Sequence, residues 1–202
     1  MRVLLLLAAG LAVAAPASGQ ERDRAANTPT ARAALADFAR CVVRRSPEKA
    51  HSALTRDFTT AGYLRTLRAL SDLNRDCLRI KDTMRADGLP FAAAMAEELL
   101  RQNATPLNVR LIRAAGTEPP TYSPGDRVAM CIVRSDPDNV AALVGSSIAS
   151  PAEDKAARSL ELAMDRCSPP GVSLDVDAYG LRSILATASY RLLSKAGGEA
   201  AE

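Results

Sequence analysis

The chain has 202 residues, and its formal charge of +3 with no long basic run argues against nucleic acid or an anionic membrane as a partner. Its length suits one large domain or two small ones. With no Trp, three Phe, four Tyr and one His, it offers few of the residues that usually build catalytic or stacking sites.

The first segment reads as an address. Arg2 precedes the apolar run Val3 to Ala15, and Pro16, Ala17, Ser18 and Gly19 follow, giving a basic start, a short hydrophobic stretch and a small-residue cleavage region. The run is too short to span a bilayer, so residues 1–19 are predicted to be a cleaved signal peptide. The earliest cysteine is Cys41, which leaves no site for a lipid anchor near the cleavage point. No later stretch approaches a membrane span, so the expected product is exported and soluble. The 22 Arg against 4 Lys suit a GC-rich bacterial genome, which makes the periplasm the expected destination and the extracellular space the alternative.

Helices follow. Thr28-Pro29 opens the first, as cap and first helical residue, and Leu35, Phe38, Ala39 and Val42 recur on one face. Ser46-Pro47-Glu48 ends it and starts a second. A third carries Leu64, Leu67, Leu70, Leu73 and Cys77 as its expected apolar face. A fourth begins near Leu89-Pro90 with Phe91, Met95 and Leu99 inward. Leu107, Val109 and Leu111 fit a short helix or an extended connector, and the Gly- and Pro-rich stretch Ala115 to Arg127 reads as linker. Asp136-Pro137-Asp138 then repeats the corner, and Ser150-Pro151-Ala152-Glu153 is a capping box opening onto Leu160, Ala163, Met164 and Cys167. The last helix begins near Asp177 and turns Leu181, Leu185, Ala188 and Leu192 inward.

The cysteines give the organisation. Cys41 and Cys77 lie 36 residues apart, as do Cys131 and Cys167. Ala39, Cys41, Val43, Arg44 and Pro47 match Ala129, Cys131, Val133, Arg134 and Pro137 at a constant offset of 90. Internal duplication accounts for this. The predicted fold is all-α: two tandem copies of a disulfide-stapled unit of about four helices, forming a pseudo-symmetric helical bundle. The expected organisation is a first unit over 20–104, a linker over 105–126 and a second unit over 127–202. Symmetry alone does not choose among the three possible cysteine pairings. An ancestral single unit had only its own two cysteines, which favours Cys41–Cys77 and Cys131–Cys167.

Candidate chemistry is sparse. There is no C-x-x-C, and the lone His51 leaves a Cys/His zinc site without partners, so neither metal nor cofactor is expected. Gly145-Ser146-Ser147 lacks the spacing of a nucleophile elbow, and Asp175 and Asp177 sit where helix caps belong. Tyr179 and Tyr190 could line a groove, but their helical spacing suits packing. The distinctive residues cluster at the repeated corner: Arg44, Ser46, Pro47 and Glu48, and Arg134, Asp136, Pro137 and Asp138. Ser46 and Asp136 are expected to cap, and each arginine to brace the acid four residues on, Glu48 or Asp138. A paired anion site is the functional alternative.

No catalytic activity follows from these residues. The expected role is a periplasmic protein-interaction or scaffolding module. A small-ligand binder with a groove between the units is the alternative, and an enzyme with an unrecognised site is a third. The two small-x-small triplets predict a mature chain beginning at Ser18 or Gln20, to be checked by intact-mass analysis of the exported protein. Recovery of the full-length mass from membranes is the opposing result.

Overall fold

The structure, a computed structural model, describes residues 27–78, 88–172 and 174–197; the predicted signal segment lies outside them. All regular structure among the described residues is helical. The order is α1 (Pro29–Arg45), α2 (Pro47–Leu54), α3 (Ala61–Leu73), a single 3-10 turn at Arg75–Cys77, and α4 (Gly88–Gln102). Then come α5 (Leu107–Ala114), α6 (Pro124–Ser135), α7 (Pro137–Gly145), α8 (Pro151–Ser159), α9 (Glu161–Cys167) and α10 (Ala178–Lys195).

One device starts several of these helices. Thr28, Ser123, Asp136 and Ser150 each accept a hydrogen bond from a first-turn amide, and each is followed by proline. The side-chain oxygen satisfies an amide that has no carbonyl partner, and proline carries no amide to satisfy. Asp177 caps α10 through Gly180 N–H at 2.8 Å. Gly197, at φ +79°, lies just past the end of α10, where a left-handed residue turns the chain out of the helix.

The apolar stripes then choose the packing. Phe38, Ala39 and Val42 of α1 are buried, as are Phe91, Met95 and Leu99 of α4. On α3 the expected face is wrong. Leu67 and Leu70 are buried, but Leu64 and Leu73 are 42% and 54% exposed. Steps of three residues turn the helix by 60° short of a full circle, so Leu64 and Leu73 stand on opposite sides. The inward stripe is Tyr63, Leu67, Leu70 and, just past the helix end, Asn74, spaced by four, three and four. The capping-box helix also differs: it breaks at Leu160 into α8 and α9. The stretch 105–126, read as linker, contains α5 and the first turn of α6, because Ser123 and Pro124 form a helix start rather than a turn.

α10 is the centre of the molecule. Leu181, Arg182, Ser183, Leu185, Ala186, Ala188, Ser189, Tyr190, Arg191, Leu192 and Leu193 are all buried, so it is covered all round. Its main neighbours are α4 and α6, with α5, α7, α8 and α2 completing the enclosure. Ala92, Ala93 and Ala96 on α4 and Ala186, Ser183 and Ser189 on α10 are small. Small side chains at a helix contact let the axes approach closely.

Two disulfides staple the periphery. Cys41 of α1 joins Cys77 at the end of the 3-10 turn, and Cys131 of α6 joins Cys167 at the end of α9, each with Cα atoms 5.7 Å apart. Each closes a 36-residue separation. In the chain-entropy account such a loop stabilises by roughly 3–4 kcal/mol. The environments differ: Cys77 is buried at 8% exposure, whereas Cys131 is exposed. Thiol–disulfide exchange requires access to a sulfur. Limiting phosphine reductant should therefore open Cys131–Cys167 before Cys41–Cys77, as read by alkylation and peptide mass mapping.

Candidate functional site

The densest polar chemistry lies where α1, α4, α8 and α10 meet. Arg32 of α1 forms a two-pronged ion pair with Glu153 of α8, one prong at 2.9 Å. Arg182 of α10 reaches the same carboxylate at 3.1 Å and grips Glu97 of α4 with two bonds of 2.7 Å. The remaining Arg182 donors close on backbone carbonyls, Val144 O at 2.9 Å and Ser146 O at 3.0 Å. Tyr179 stacks on Arg32, whose guanidinium carbon stands 4.1 Å from the ring centroid. Arg32, Glu153 and Arg182 are almost completely buried.

Glu153 is the hub. Its second oxygen also accepts Ala149 N–H at 2.9 Å, with Ala149 at φ +53°. A non-glycine residue in the left-handed region costs on the order of 1–2 kcal/mol, offset here by an amide delivered to a buried carboxylate. Burial would raise the Glu153 carboxyl, but hydrogen bonds and charge from Arg32, the Ala149 amide and the charge of Arg182 outweigh it and hold the pKa below the ordinary value. Burial likewise works against the Arg182 charge, and Glu97 and Glu153 overcome it, so that guanidinium is raised. Burial raises the Tyr179 phenol.

A second buried pair lies farther along α10. Arg191 clasps Asp126 of α6 with two bonds, one of 3.0 Å, and Asp126 also accepts Tyr122 N–H at 2.9 Å. Phe58 and Tyr122 flank the guanidinium at 5.4 and 5.5 Å. Burial raises the nearby Tyr63 phenol, partly opposed by Arg191. The single histidine joins α2 to α10: His51 Nδ1 lies 2.7 Å from the Tyr190 hydroxyl.

The repeated corners differ from expectation. Pro47 and Pro137 do open α2 and α7. Asp136 accepts Asn139 N–H at 3.4 Å and the Asn139 side-chain amide at 3.0 Å. Ser46 makes no side-chain cap. Its hydroxyl turns instead to buried Asn74, 3.3 Å from Nδ2, and Asn74 also donates to Leu70 O at 2.9 Å. A buried amide needs partners more than exposed first-turn amides do, because water serves the latter. Neither arginine braces its acid. Arg44 is exposed, and no ion pair joins it to Glu48. Arg134 donates to Ala115 O at 2.7 Å at the end of α5 and lies 3.6 Å from Glu118, while Asp138 accepts from Asn108 of α5 at 2.8 Å. The two arginines occupy unlike surroundings and are not assembled into one anion site.

Other candidates resolve into structure. Ser146 caps the end of α7 through Leu143 O at 2.7 Å, Asp177 caps α10, and Tyr190 is buried. No group of three or more His, Cys, Asp or Glu suited to a metal occurs among the described residues. Beside Arg32, Glu97, Tyr179 and Arg182 lies a space of about 20 Å³, the volume of a water rather than a ligand. The larger concavity is on the surface between α2 and α3: about 540 Å³, with Ala69, Leu70 and Leu73 as floor and Glu48, Lys49 and Arg56 along its wall. Compared with protein families, curated proteins and solved structures, the chain has no match.

The buried network was hidden in the sequence because its members lie up to 150 positions apart and each has an ordinary local reading. Glu153 sits third after Ser150, which is the capping-box position, yet its carboxylate turns inward to Arg32. Glu153→Gln should destabilise by about 3 kcal/mol, since it leaves buried arginine charge uncompensated. The pH sign follows from the depressed carboxyl: its contribution is present above the unfolded pKa of about 4.3 and is lost as pH falls through the lower folded value. Thermal melts between pH 2 and 6 should show that slope in the native protein and a shallower one in Glu153→Gln. At the corner, Asp136→Ala should cost about 0.5–2 kcal/mol at neutral pH by the same melts.

Proposed function

We propose that this is an exported, periplasmic helical module that acts by binding another protein, built from two copies of one disulfide-stapled unit. The observation that carries the reading is where the charge is used. The buried carboxylates Asp126 and Glu153 are consumed by arginines, and the buried arginines by carboxylates or carbonyls. Catalysis by a carboxylate needs an oxygen free for substrate, and every oxygen of Asp126 and Glu153 already accepts a hydrogen bond. The surface, in contrast, combines an open apolar-floored groove with charged walls.

The duplication has support in the helix boundaries. α2 and α7 begin at Pro47 and Pro137, α3 and α8 at Ala61 and Pro151, and α4 and α10 at Gly88 and Ala178, each pair 90 residues apart. The disulfides obey the same offset. On this reading, 20–104 and 127–202 are the units and α5 lies in the connection. Export is compatible with two disulfides, with the leader-like first 19 residues, and with the finding that no helix among the described residues is long and apolar enough to cross a membrane. A small-ligand site between the units gains no support from a junction holding about 20 Å³, when such sites typically run to roughly 300 Å³ or more.

Affinity capture of the tagged, oxidised mature protein from its own cell envelope tests the reading, with mass spectrometry of both proteins and small molecules. A protein recovered in stoichiometric amount, and bound again by purified components, is the expected result. A retained small molecule with no protein partner would overturn it.

A further inference from the structure

We propose that the Cys131–Cys167 disulfide is a site of thiol–disulfide exchange through which the protein oxidises a dithiol. Cys131 is the sulfur attacked and Cys167 the sulfur released. This activity goes beyond the protein-binding reading and does not depend on it.

The two disulfides provide an internal comparison. Each closes a separation of 36 residues with Cα atoms 5.7 Å apart, yet their surroundings differ. In the first, Cys77 is buried and Cys41 half-buried. In the second, Cys131 is exposed and Cys167 half-buried. Cys131 lies inside α6, where the helix covers the backbone, so its exposure falls largely on the side chain. Exchange begins when a thiolate reaches one sulfur of the bond, and access selects Cys131.

The second difference lies at the other sulfur. Ser135, the last residue of α6, holds its hydroxyl 3.7 Å from Cys167 Sγ. A disulfide sulfur carries no hydrogen, so the hydroxyl is the donor. Its other contact, Ile132 O at 3.5 Å, is long and readily given up. Against a neutral sulfur the bond is weak; against a thiolate it is charge-assisted and stronger. Cys167 ends α9, where the helix carbonyls disfavour negative charge, so the Ser135 hydroxyl is what steadies the departing sulfur. A thiolate that is better stabilised leaves faster. In the first unit the position 90 residues before Ser135 is Arg45, which lies 3.7 Å from Asp76 and offers no hydroxyl.

The exchange balances with the dithiol as reductant. Its first thiolate bonds to Cys131 Sγ, the Cys131–Cys167 bond breaks, and the electron pair leaves on Cys167. The second thiolate then attacks the donor's own sulfur in the mixed disulfide and releases Cys131. The donor departs as a disulfide, and its two thiol protons pass through water to Cys131 and Cys167. Every cysteine of the chain is paired, so no internal thiol competes with the donor. Glu153, held by Arg32 and Arg182, keeps α8 anchored ahead of α9 while the bond is open.

The test uses the oxidised mature protein with reduced glutathione as the monothiol probe and dithiothreitol as the dithiol. Reactions are quenched with acid, alkylated and read by peptide mass mapping. Glutathione should appear on Cys131, with Cys167 recovered as the free thiol, about tenfold faster than any adduct at Cys41 or Cys77. Dithiothreitol should leave Cys131 and Cys167 both as thiols, without a lasting adduct, while Cys41–Cys77 is still closed. Ser135→Ala should slow the opening about fivefold, and Ser135→Thr, which keeps the hydroxyl, should restore the rate. An adduct on Cys167, an unchanged rate in Ser135→Ala, or equal opening of the two disulfides overturns the proposal. So does opening that occurs only at urea concentrations that unfold the chain, since the reaction would then belong to unfolded molecules.

Discussion

Two arginines on one fully enclosed helix constrain everything around it. Arg182 and Arg191 are nine residues apart on α10, which puts them about 13.5 Å apart along the axis and on opposite sides. Both are almost completely buried, and an unpaired buried charge is prohibitively costly. Carboxylates must therefore arrive from two directions: Glu97 and Glu153 from α4 and α8, and Asp126 from α6. Each carboxylate fixes the rotation and height of the helix that brings it. Apolar side chains tolerate sliding; a two-pronged guanidinium–carboxylate pair does not. Buried pairs add little net stability over a well-packed apolar substitute. In this bundle the pairs tie α10 to α4 and α8 at one end and to α6 at the other.

The interior and the surface divide the work. Inside, charge is matched to charge, down to an alanine held at positive φ to give Glu153 another donor. Outside, Lys49, Arg56 and Glu48 line an open groove without internal partners among the described residues. The first arrangement spends binding capacity on folding, and the second leaves it available.

Much of the frame was legible because it is local chemistry. Proline after Ser, Thr or Asp marks helix starts, and Leu181, Leu185, Ala188 and Leu192 mark one inward face of the last helix, though not the burial of its other sides. Other features depended on what lies across space. Leu64 and Leu73 look like one stripe with Leu67 and Leu70 until the helical angle is followed over nine residues. Ser46 looks like Asp136 in sequence, but Asn74 sits beside only one of them, and its buried amide draws the hydroxyl away. The Arg134 brace failed for a similar reason, since the Ala115 carbonyl at the end of α5 competes for it. Glu153 had a sufficient explanation as part of a cap, so nothing local pointed to Arg32 and Arg182. Long-range ion pairs leave no periodic trace, whereas helix caps and stripes do.

The disulfides follow chain order without interleaving, and neither loop encloses α4 or α10. A chain that enters an oxidising compartment with its amino terminus first presents Cys41 and Cys77 while Cys131 is still behind the membrane. The nearest available partner is then the native one, and the same holds again for the second pair. On the proposed export, oxidation would proceed in step with arrival, with little call for an isomerase to correct crossed bonds, and neither covalent loop would stand in the way of α4 or α10.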